Sequence, residues 1–102
     1  MEENPLTENI KKELDLLQRT LNILAVIEEE GPIGISRLSE RLDIPEHRVR
    51  YSLRMLEKEK LIEPSPRGAK LTDKHGKFKE EFIEHLQDIR KTVDSLGREI
   101  RE

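Results

Sequence analysis

The chain has 102 residues, a formal net charge of −3, and a composition in which 40% of the residues are charged and 33% are apolar. These values fit one domain with a modest core, and no uninterrupted apolar run is long enough to span a bilayer. Cysteine is absent, which excludes disulfides, thiolate metal sites and a cysteine nucleophile. Because the acidic segment 1–5 lacks the features of a secretory signal, we expect a cytoplasmic protein.

The basic residues are concentrated in the middle of the chain. Residues 1–34 contain three basic and eight acidic residues, residues 35–75 contain ten and seven, and residues 76–102 contain six and seven. Net acidity argues against a nucleic-acid partner, because non-specific DNA affinity comes mainly from Lys and Arg that neutralise phosphates. The distribution answers this objection, since the middle segment alone is basic.

An amphipathic helix is predicted over residues 7–30, with Thr7 as its N-terminal cap. Its apolar residues alternate in steps of four and three, which places them on one stripe: Ile10, Leu14, Leu17, Leu21 and Leu24. The stripe widens in the second half, as expected where a helix enters a core. We expect Gly31-Pro32 to end the helix, because glycine takes the left-handed cap conformation and proline cannot continue a helix.

Two further helices and a tight turn are predicted next, over residues 35–42 and 45–59. Proline at position 45 fits the start of the second helix, because its fixed φ is tolerated in a first turn. The inward residues of this helix follow steps of four and three: Val49, Leu53 and Leu56. Short strands are predicted at residues 61–63 and 69–71, joined by the turn 64–68, so that this part of the chain forms a hairpin.

A last long helix is predicted over residues 73–101, with Thr72 as its cap. Its apolar residues form a heptad seam, which consists of Phe82, Leu86, Ile89, Val93, Leu96 and Ile100. Gly97 lies within the seam and offers the alternative that the helix ends early. We expect a single domain over residues 1–102, with a winged core at 31–76.

The segment Gly31-Pro32-Ile33-Gly34-Ile35-Ser36-Arg37-Leu38-Ser39-Glu40-Arg41-Leu42-Asp43-Ile44-Pro45 resembles the opening of winged-helix transcriptional regulators of the MarR and ArsR type, especially small archaeal ones. The stretch Leu71-Thr72-Asp73-Lys74-His75-Gly76 is similar to the step that leads out of the wing in many of them. The resemblance covers residues 31–76. It implies a mainly α fold with a small β-hairpin wing (α+β), a winged helix-turn-helix with long flanking helices that binds DNA.

Two positions depart from the common pattern of these regulators. Asp43 stands where the turn often has glycine, and Pro45 stands where the recognition helix often has a serine cap. Aspartate tolerates the left-handed conformation better than most residues, and a lost cap costs on the order of 1 kcal/mol. We therefore expect the turn and the helix to form despite both departures.

The outward face of the predicted helix 45–59 is basic, which suits a recognition helix in the major groove. We predict base contacts from Arg50 and Arg54, and phosphate contacts from Arg48 and Arg37. The wing, residues 64–70, is predicted to contact the backbone or the minor groove through Arg67 and Lys70. The predicted DNA-binding set is Arg37, His47, Arg48, Arg50, Tyr51, Arg54, Lys58, Arg67 and Lys70.

The apolar seams of the two flanking helices must be covered, since leaving them wet forgoes about 10 kcal/mol or more. A homodimer is predicted through Ile10, Leu14, Leu17, Leu21, Phe82, Leu86, Ile89, Val93 and Leu96. An intramolecular helical hairpin is the alternative, and parallel and antiparallel pairing both stay open.

The predicted function is sequence-specific binding of double-stranded DNA by a dimeric transcriptional regulator. The alternative is a winged helix that contacts proteins in a transcription, replication or chromosome-organising assembly. We expect no catalytic residues, metal or cofactor, and no membrane partner, whereas a small-molecule effector stays open. The serines at positions 36, 39, 52, 65 and 95 are interpreted as helix-surface or turn residues.

Overall fold

The computed structural model of the chain describes residues 4–101, which form two compact units, one ending at Thr72 and the other beginning at Asp73. The first unit consists of three helices and one hairpin: α1 (Pro5–Glu30), α2 (Ile35–Leu42), α3 (Glu46–Lys58), β1 (Ile62–Ser65) and β2 (Gly68–Leu71). The second unit contains helix α4 (His75–Arg101). This order confirms the predicted winged helix-turn-helix of the α+β class, whereas the expectation of a single domain stays a prediction.

Helix α1 begins two residues earlier than predicted. The side-chain oxygen of Asn4 accepts a hydrogen bond from the backbone N–H of Leu6 at 2.9 Å, and Pro5 occupies the first turn. Asn4 is therefore the N-terminal cap, and the prediction that Thr7 caps the helix was wrong. The Thr7 hydroxyl donates to the carbonyl of Asn4 at 3.3 Å instead. Asparagine is among the strongest capping residues, and proline suits a first turn, so Asn4 and Pro5 start the helix in preference to the threonine three positions after Asn4.

Helix α1 ends at the predicted boundary, before Gly31, but the glycine ends it in a different conformation from the one predicted. Gly31 has φ −65° and ψ 153°, which is extended backbone, so the expected left-handed glycine cap is not formed. Its N–H donates to the carbonyl of Ile27 at 2.9 Å. A Cβ atom at this position would lie 2.5 Å from the same carbonyl oxygen, so glycine is required here by close approach rather than by a positive φ.

The turn between α2 and α3 accommodates both departures from the common regulator pattern. Asp43 adopts the left-handed conformation, with φ 54° and ψ 51°, as expected for an aspartate in place of glycine. The N–H of Ile44 donates to the carbonyl of Ser39 at 3.1 Å, and the Ser39 hydroxyl donates to the carbonyl of Ile44 at 2.5 Å. Pro45 then precedes α3 without a side-chain capping bond. The turn is thus stabilised from the end of α2 and not by a cap on α3.

The wing is a two-stranded antiparallel hairpin whose pairing runs from Ile62 opposite Leu71 to Ser65 opposite Gly68. Ile33, in the connection between α1 and α2, adds an isolated antiparallel bridge to Ala69. The two residues exchange backbone hydrogen bonds of 3.0 and 2.8 Å. This bridge was not predicted from the sequence, and it joins strand β2, close to the turn of the hairpin, to the connection that precedes α2.

The core of the first unit is formed by apolar side chains from all of its elements, listed here as Ile23, Leu24, Val26, Ile27, Ile33, Leu38, Val49, Leu53, Leu56, Leu61, Ile62 and Ala69. Two polar residues are also buried. Thr20 of α1 is 4% exposed and Ser52 of α3 is fully covered, and their hydroxyl oxygens lie 2.9 Å apart. Ser52 is therefore a core residue, and its interpretation as a surface or turn serine was wrong.

Helix α4 begins two residues after the predicted start and continues through Gly97 to Arg101, so the alternative of an early end at Gly97 was wrong. Within the helix, the rings of Phe78 and Phe82 stack with their centroids 5.2 Å apart. The rest of the heptad seam is exposed, including Ile89 at 51% and Val93 at 58%. The helix buries none of its residues fully.

Candidate nucleic-acid interface

Helix α3 is oriented by its buried side. Val49, Leu53 and Leu56 are all covered in the core, as the helical spacing predicts. Because α3 has 3.6 residues per turn, the opposite side is directed to solvent. That side carries residues that are all exposed: His47, Arg50, Tyr51, Arg54 and Lys58. We call these five residues the α3 face.

Most cations of the α3 face are available for a ligand. Arg50 lies 3.9 Å from the carboxylate of Glu46, a long contact between two half-exposed side chains. Within residues 4–101, Arg54 and Lys58 make no side-chain hydrogen bond or ion pair, and neither does Arg48, the exposed neighbour of the face. Exposed ion pairs contribute about 0–1 kcal/mol, so even Arg50 is released from Glu46 at small cost.

Helix α2 is connected to the end of α1 by one carboxylate. Glu30 lies 2.9 Å from Nε of Arg41 and 3.8 Å from a terminal nitrogen of Arg37. The Arg37 side chain is nevertheless mostly exposed, so its guanidinium keeps donors free for another acceptor. Arg41 was not among the predicted site residues, and its role in the structure is this contact with Glu30.

The tip of the wing carries one exposed cation on an ordered turn. The Ser65 hydroxyl donates to the carbonyl of Gly68 at 2.6 Å and accepts from the backbone N–H of Arg67 at 3.3 Å. The Arg67 side chain is exposed at this tip. Lys70 lies 3.4 Å from the carboxylate of Glu63 on the paired strand, so its charge is partly neutralised. Of the two predicted wing residues, Arg67 alone makes no side-chain ion pair within residues 4–101, and its role as a DNA ligand stays a prediction.

The residues predicted to form a dimer differ in exposure. In α1, Ile10 and Leu14 are exposed, whereas Leu17 and Leu21 are partly buried at the edge of the core. In α4, Phe82 is partly buried, and the rest of the predicted set is exposed: Leu86, Ile89, Val93 and Leu96. Their role in a dimer stays a prediction.

A groove between α1 and α3 contains basic residues that the sequence analysis did not select. It has a volume of about 540 Å³. Its lining consists of Lys12, Asp15, Leu16, Arg19, His47, Arg48 and Tyr51. Lys12 and Arg19 are seven residues apart and so lie on one side of α1. The seven-residue spacing is visible in the sequence, but helix α1 was interpreted from its apolar stripe alone.

Two other kinds of site are absent from the part of the chain that the structure describes. Between positions 4 and 101, no three His, Asp or Glu side chains are grouped as metal ligands. No helix in that same range has the length and hydropathy needed to cross a membrane.

The fold, the basic α3 face and the wing together define the class of the molecule, which is a winged helix-turn-helix domain. Residues 16–89 match the family model described as the CggR N-terminal DNA binding domain. Because the match covers well over half of the chain, the protein belongs to this family, and it is a DNA-binding domain of a transcriptional regulator. No protein in the curated collection matches the chain. The family match does not test whether the protein is of the MarR or ArsR type, or of an archaeal type, so these finer assignments stay predictions.

Proposed function

We propose that the protein is a dimeric transcriptional regulator that binds specific sequences of double-stranded DNA, with α3 in the major groove and the wing on the flanking backbone or minor groove. The family supports DNA binding in general. The observation that carries the finer proposal is the α3 face, where basic and aromatic side chains stand exposed opposite a buried apolar side.

The dimensions of α3 suit a major groove. Its 13 residues span about 20 Å, and a helix with side chains is about 10–12 Å wide, close to the width of the groove. Arginine donates two hydrogen bonds to guanine in the geometry that base recognition requires. Arg54 is the leading candidate for this contact because it is exposed in the middle of the face and has no competing ion pair within residues 4–101.

Phosphate contacts complete the proposed interface around α3. Arg48 is exposed at the start of the helix, Arg37 is exposed on α2, and Arg67 is exposed at the tip of the wing. Backbone contacts of this kind fix the register of a protein on DNA, whereas contacts to base edges select the sequence. The proposal thus assigns positioning to α2 and the wing, and sequence selection to α3.

A second copy of the chain is the proposed occupant of the apolar seam of α4. The exposed residues follow heptad steps over most of a 27-residue helix, which is the pattern of helices that pair along their length. Fully burying one such side chain is worth about 1.5–3 kcal/mol. A two-fold dimer would also present two copies of α3 to two half-sites, a common arrangement for helix-turn-helix proteins.

The proposal is tested first by fluorescence anisotropy of a labelled duplex at several salt concentrations. The wild type is compared with the double variant Arg50→Glu/Arg54→Glu. The matched control, Lys91→Glu/Arg98→Glu, makes the same change in net charge at exposed positions of α4 that lie opposite the seam. We expect a linear fall of log affinity with log salt, with a slope of about −0.9 per phosphate contact, and strong weakening in the α3 variant only.

Equal weakening in both variants would mean that net charge, and not the α3 face, controls binding. No binding by the wild type even at low salt would favour the alternative of a winged helix that contacts proteins. The dimer is tested separately by light scattering over a dilution series. We expect about twice the chain mass for the wild type and the chain mass for Ile89→Asp, whereas a wild-type monomer at high concentration would refute the dimer.

A further inference from the structure

We infer that α1 also contacts DNA: the groove between α1 and α3 holds a backbone phosphate, with Arg19 as its principal ligand. This inference rests on the proposed function, because it assumes that α3 is the helix that enters the major groove. It adds a helix that the sequence analysis assigned only to the core and the dimer.

The Arg19 side chain has no hydrogen-bond partner within residues 4–101. Its Nε atom is completely covered, yet it has no hydrogen-bond partner, and among residues 4–101 it is the only covered side-chain nitrogen or oxygen in this condition. A guanidinium is always charged and donates only, so a covered N–H without an acceptor is costly. The carboxylate of Asp15, one turn away, makes no hydrogen bond or ion pair with Arg19. The terminal nitrogens of Arg19 have no partner within residues 4–101 either, and unlike Nε they are not covered, so an acceptor that enters the groove can bind the guanidinium there.

The lining of the groove is mainly positively charged. Lys12, Arg19 and Arg48 carry three positive charges, His47 adds a further nitrogen donor or acceptor, and Asp15 is the one acidic residue in the lining. Lys12 also lies 3.2 Å from the carboxylate of Glu8, but this exposed pair contributes only about 0–1 kcal/mol and is released at small cost. Such a site favours an anion. A phosphate suits it because guanidinium groups bind phosphate oxygens through two parallel hydrogen bonds, and the Tyr51 hydroxyl, also in the lining, is a further donor.

The groove lies directly beside the proposed DNA contact. His47, Arg48 and Tyr51 belong to the first half of α3, so the groove shares a wall with the helix proposed to lie in the major groove. The DNA backbone borders the major groove on both sides, which brings phosphates to the flank of any helix inserted there. A phosphate on that flank meets α1 where Arg19 and Lys12 lie.

The two helices that form the groove are held rigidly together next to Arg19. The buried hydrogen bond between Thr20 and Ser52 joins the residue after Arg19 to the residue after Tyr51. The two walls of the groove are therefore held at a fixed separation next to Arg19. A preformed site loses little conformational entropy on binding, which increases the value of each contact.

Arg19→Gln tests the inference because glutamine keeps the first two methylenes and a polar end and removes the charge. We expect it to weaken DNA binding by roughly tenfold, and to a similar degree on duplexes of different sequence. The slope of log affinity against log salt should become shallower by about 0.9 for each protomer bound. Lys11→Gln is the control, because Lys11 is exposed on α1 next to Lys12 but outside the lining of the groove.

A change of opposite sign comes from Asp15→Asn in the same groove. Because this variant removes a negative charge that repels a phosphate, we expect it to tighten DNA binding and to leave the fold intact. Thermal unfolding of each variant by circular dichroism serves as the check on folding. Weakening in Arg19→Gln with an unchanged salt slope, together with no tightening in Asp15→Asn, would assign Arg19 a structural role and overturn the inference.

The outcomes separate this inference from the function on which it rests. If the wild type binds no DNA, the proposed function fails. If the wild type binds and Arg19→Gln binds equally with the same slope, only the phosphate site on α1 fails. A titration with inorganic phosphate at constant ionic strength, followed by NMR, distinguishes the source of the phosphate. Added phosphate could shift the NMR signals of the groove residues while Arg19→Gln binds DNA as tightly as the wild type. These two results together would mean that the ligand is a free phosphate compound, which overturns the DNA assignment.

Discussion

The buried hydrogen bond between Thr20 and Ser52 predicts a measurable coupling between α1 and α3. The hydroxyl oxygens are 2.9 Å apart in the core, and they come from helices whose chain positions are 32 residues apart. Thr20→Val keeps the shape of the side chain, and Ser52→Ala removes only the hydroxyl. Each change leaves the remaining hydroxyl without its partner in a place that water does not reach.

The expected cost follows from what the remaining hydroxyl can do. Leaving a covered polar group unsatisfied costs about 1–3 kcal/mol, but a helical Ser or Thr can turn its hydroxyl to the carbonyl four residues earlier. We therefore expect each single variant to lower the free energy of unfolding by about 1–2 kcal/mol. The double variant should cost about the same as one single variant, because neither hydroxyl is then left behind. The coupling energy should therefore equal the cost of one single variant, about 1–2 kcal/mol.

The measurement is urea unfolding of the four proteins by far-ultraviolet circular dichroism at one fixed protein concentration, because self-association would make stability depend on concentration. Coupling near zero, with single costs that simply add, would refute the claim that this bond holds α3 against α1. A lower affinity for DNA in the single variants that recovers in the double variant would extend the coupling to function.

Three further changes test other parts of the fold by thermal unfolding, where 1 kcal/mol corresponds to a shift of about 4–8 °C in a domain of this size. Gly68→Ala should destabilise by roughly 2 kcal/mol or more, because Gly68 has φ 121° and a Cβ atom would lie 2.3 Å from the backbone of Ile33; an unchanged melting temperature would contradict the described wing. Asp43→Gly should raise stability by about 0.5 kcal/mol, because glycine takes the left-handed conformation without strain, and a loss would show that the aspartate side chain stabilises the turn. Leu38→Ala should cost about 2–5 kcal/mol because the side chain is fully buried, and a cost under 1 kcal/mol would place α2 outside the core.

Periodicity in the sequence was sufficient for the order of the elements and for the buried side of α3. Apolar steps of three and four identify Val49, Leu53 and Leu56 directly, because the burial of a helix in a core repeats with its turn. The same reasoning failed for Ser52, which is buried because of a partner 32 residues away. A small polar residue carries no periodic signal, so only the packing of the two helices reveals its role.

Glycine and capping positions show a second limit of the sequence. Gly31 and Gly68 both have steric reasons to be glycine, but Gly31 is extended and Gly68 has a positive φ. The residue type alone does not distinguish these two causes. Likewise, the preference of Asn4 over Thr7 as the cap of α1 depends on the exact residue at which the helix begins, and the apolar stripe does not determine that residue.

The part of the candidate site that lies on one helix could be predicted from the sequence, whereas the part formed by two crossing helices could not. The α3 face follows from a single helical wheel, and its residues are all exposed in the structure. The groove with Arg19 needs the crossing of α1 and α3, which no local pattern encodes. The contacts of Arg37 and Arg41 with Glu30 also join separate elements, and they show which cations have a partner within the chain.

The contacts that attach the wing determine which of its positions can accept substitutions or insertions. Strand β2 of the hairpin is joined to Ile33 by the two backbone hydrogen bonds of Ala69, and the close approach at Gly68 leaves no room for a side chain there. Pro66 and Arg67, by contrast, are exposed and lie between the last paired residues. Insertions or substitutions at these two positions would alter the reach of the wing while the rest of the domain keeps its packing. The tip of the wing is therefore a place where contacts with the DNA backbone could change at little cost in stability.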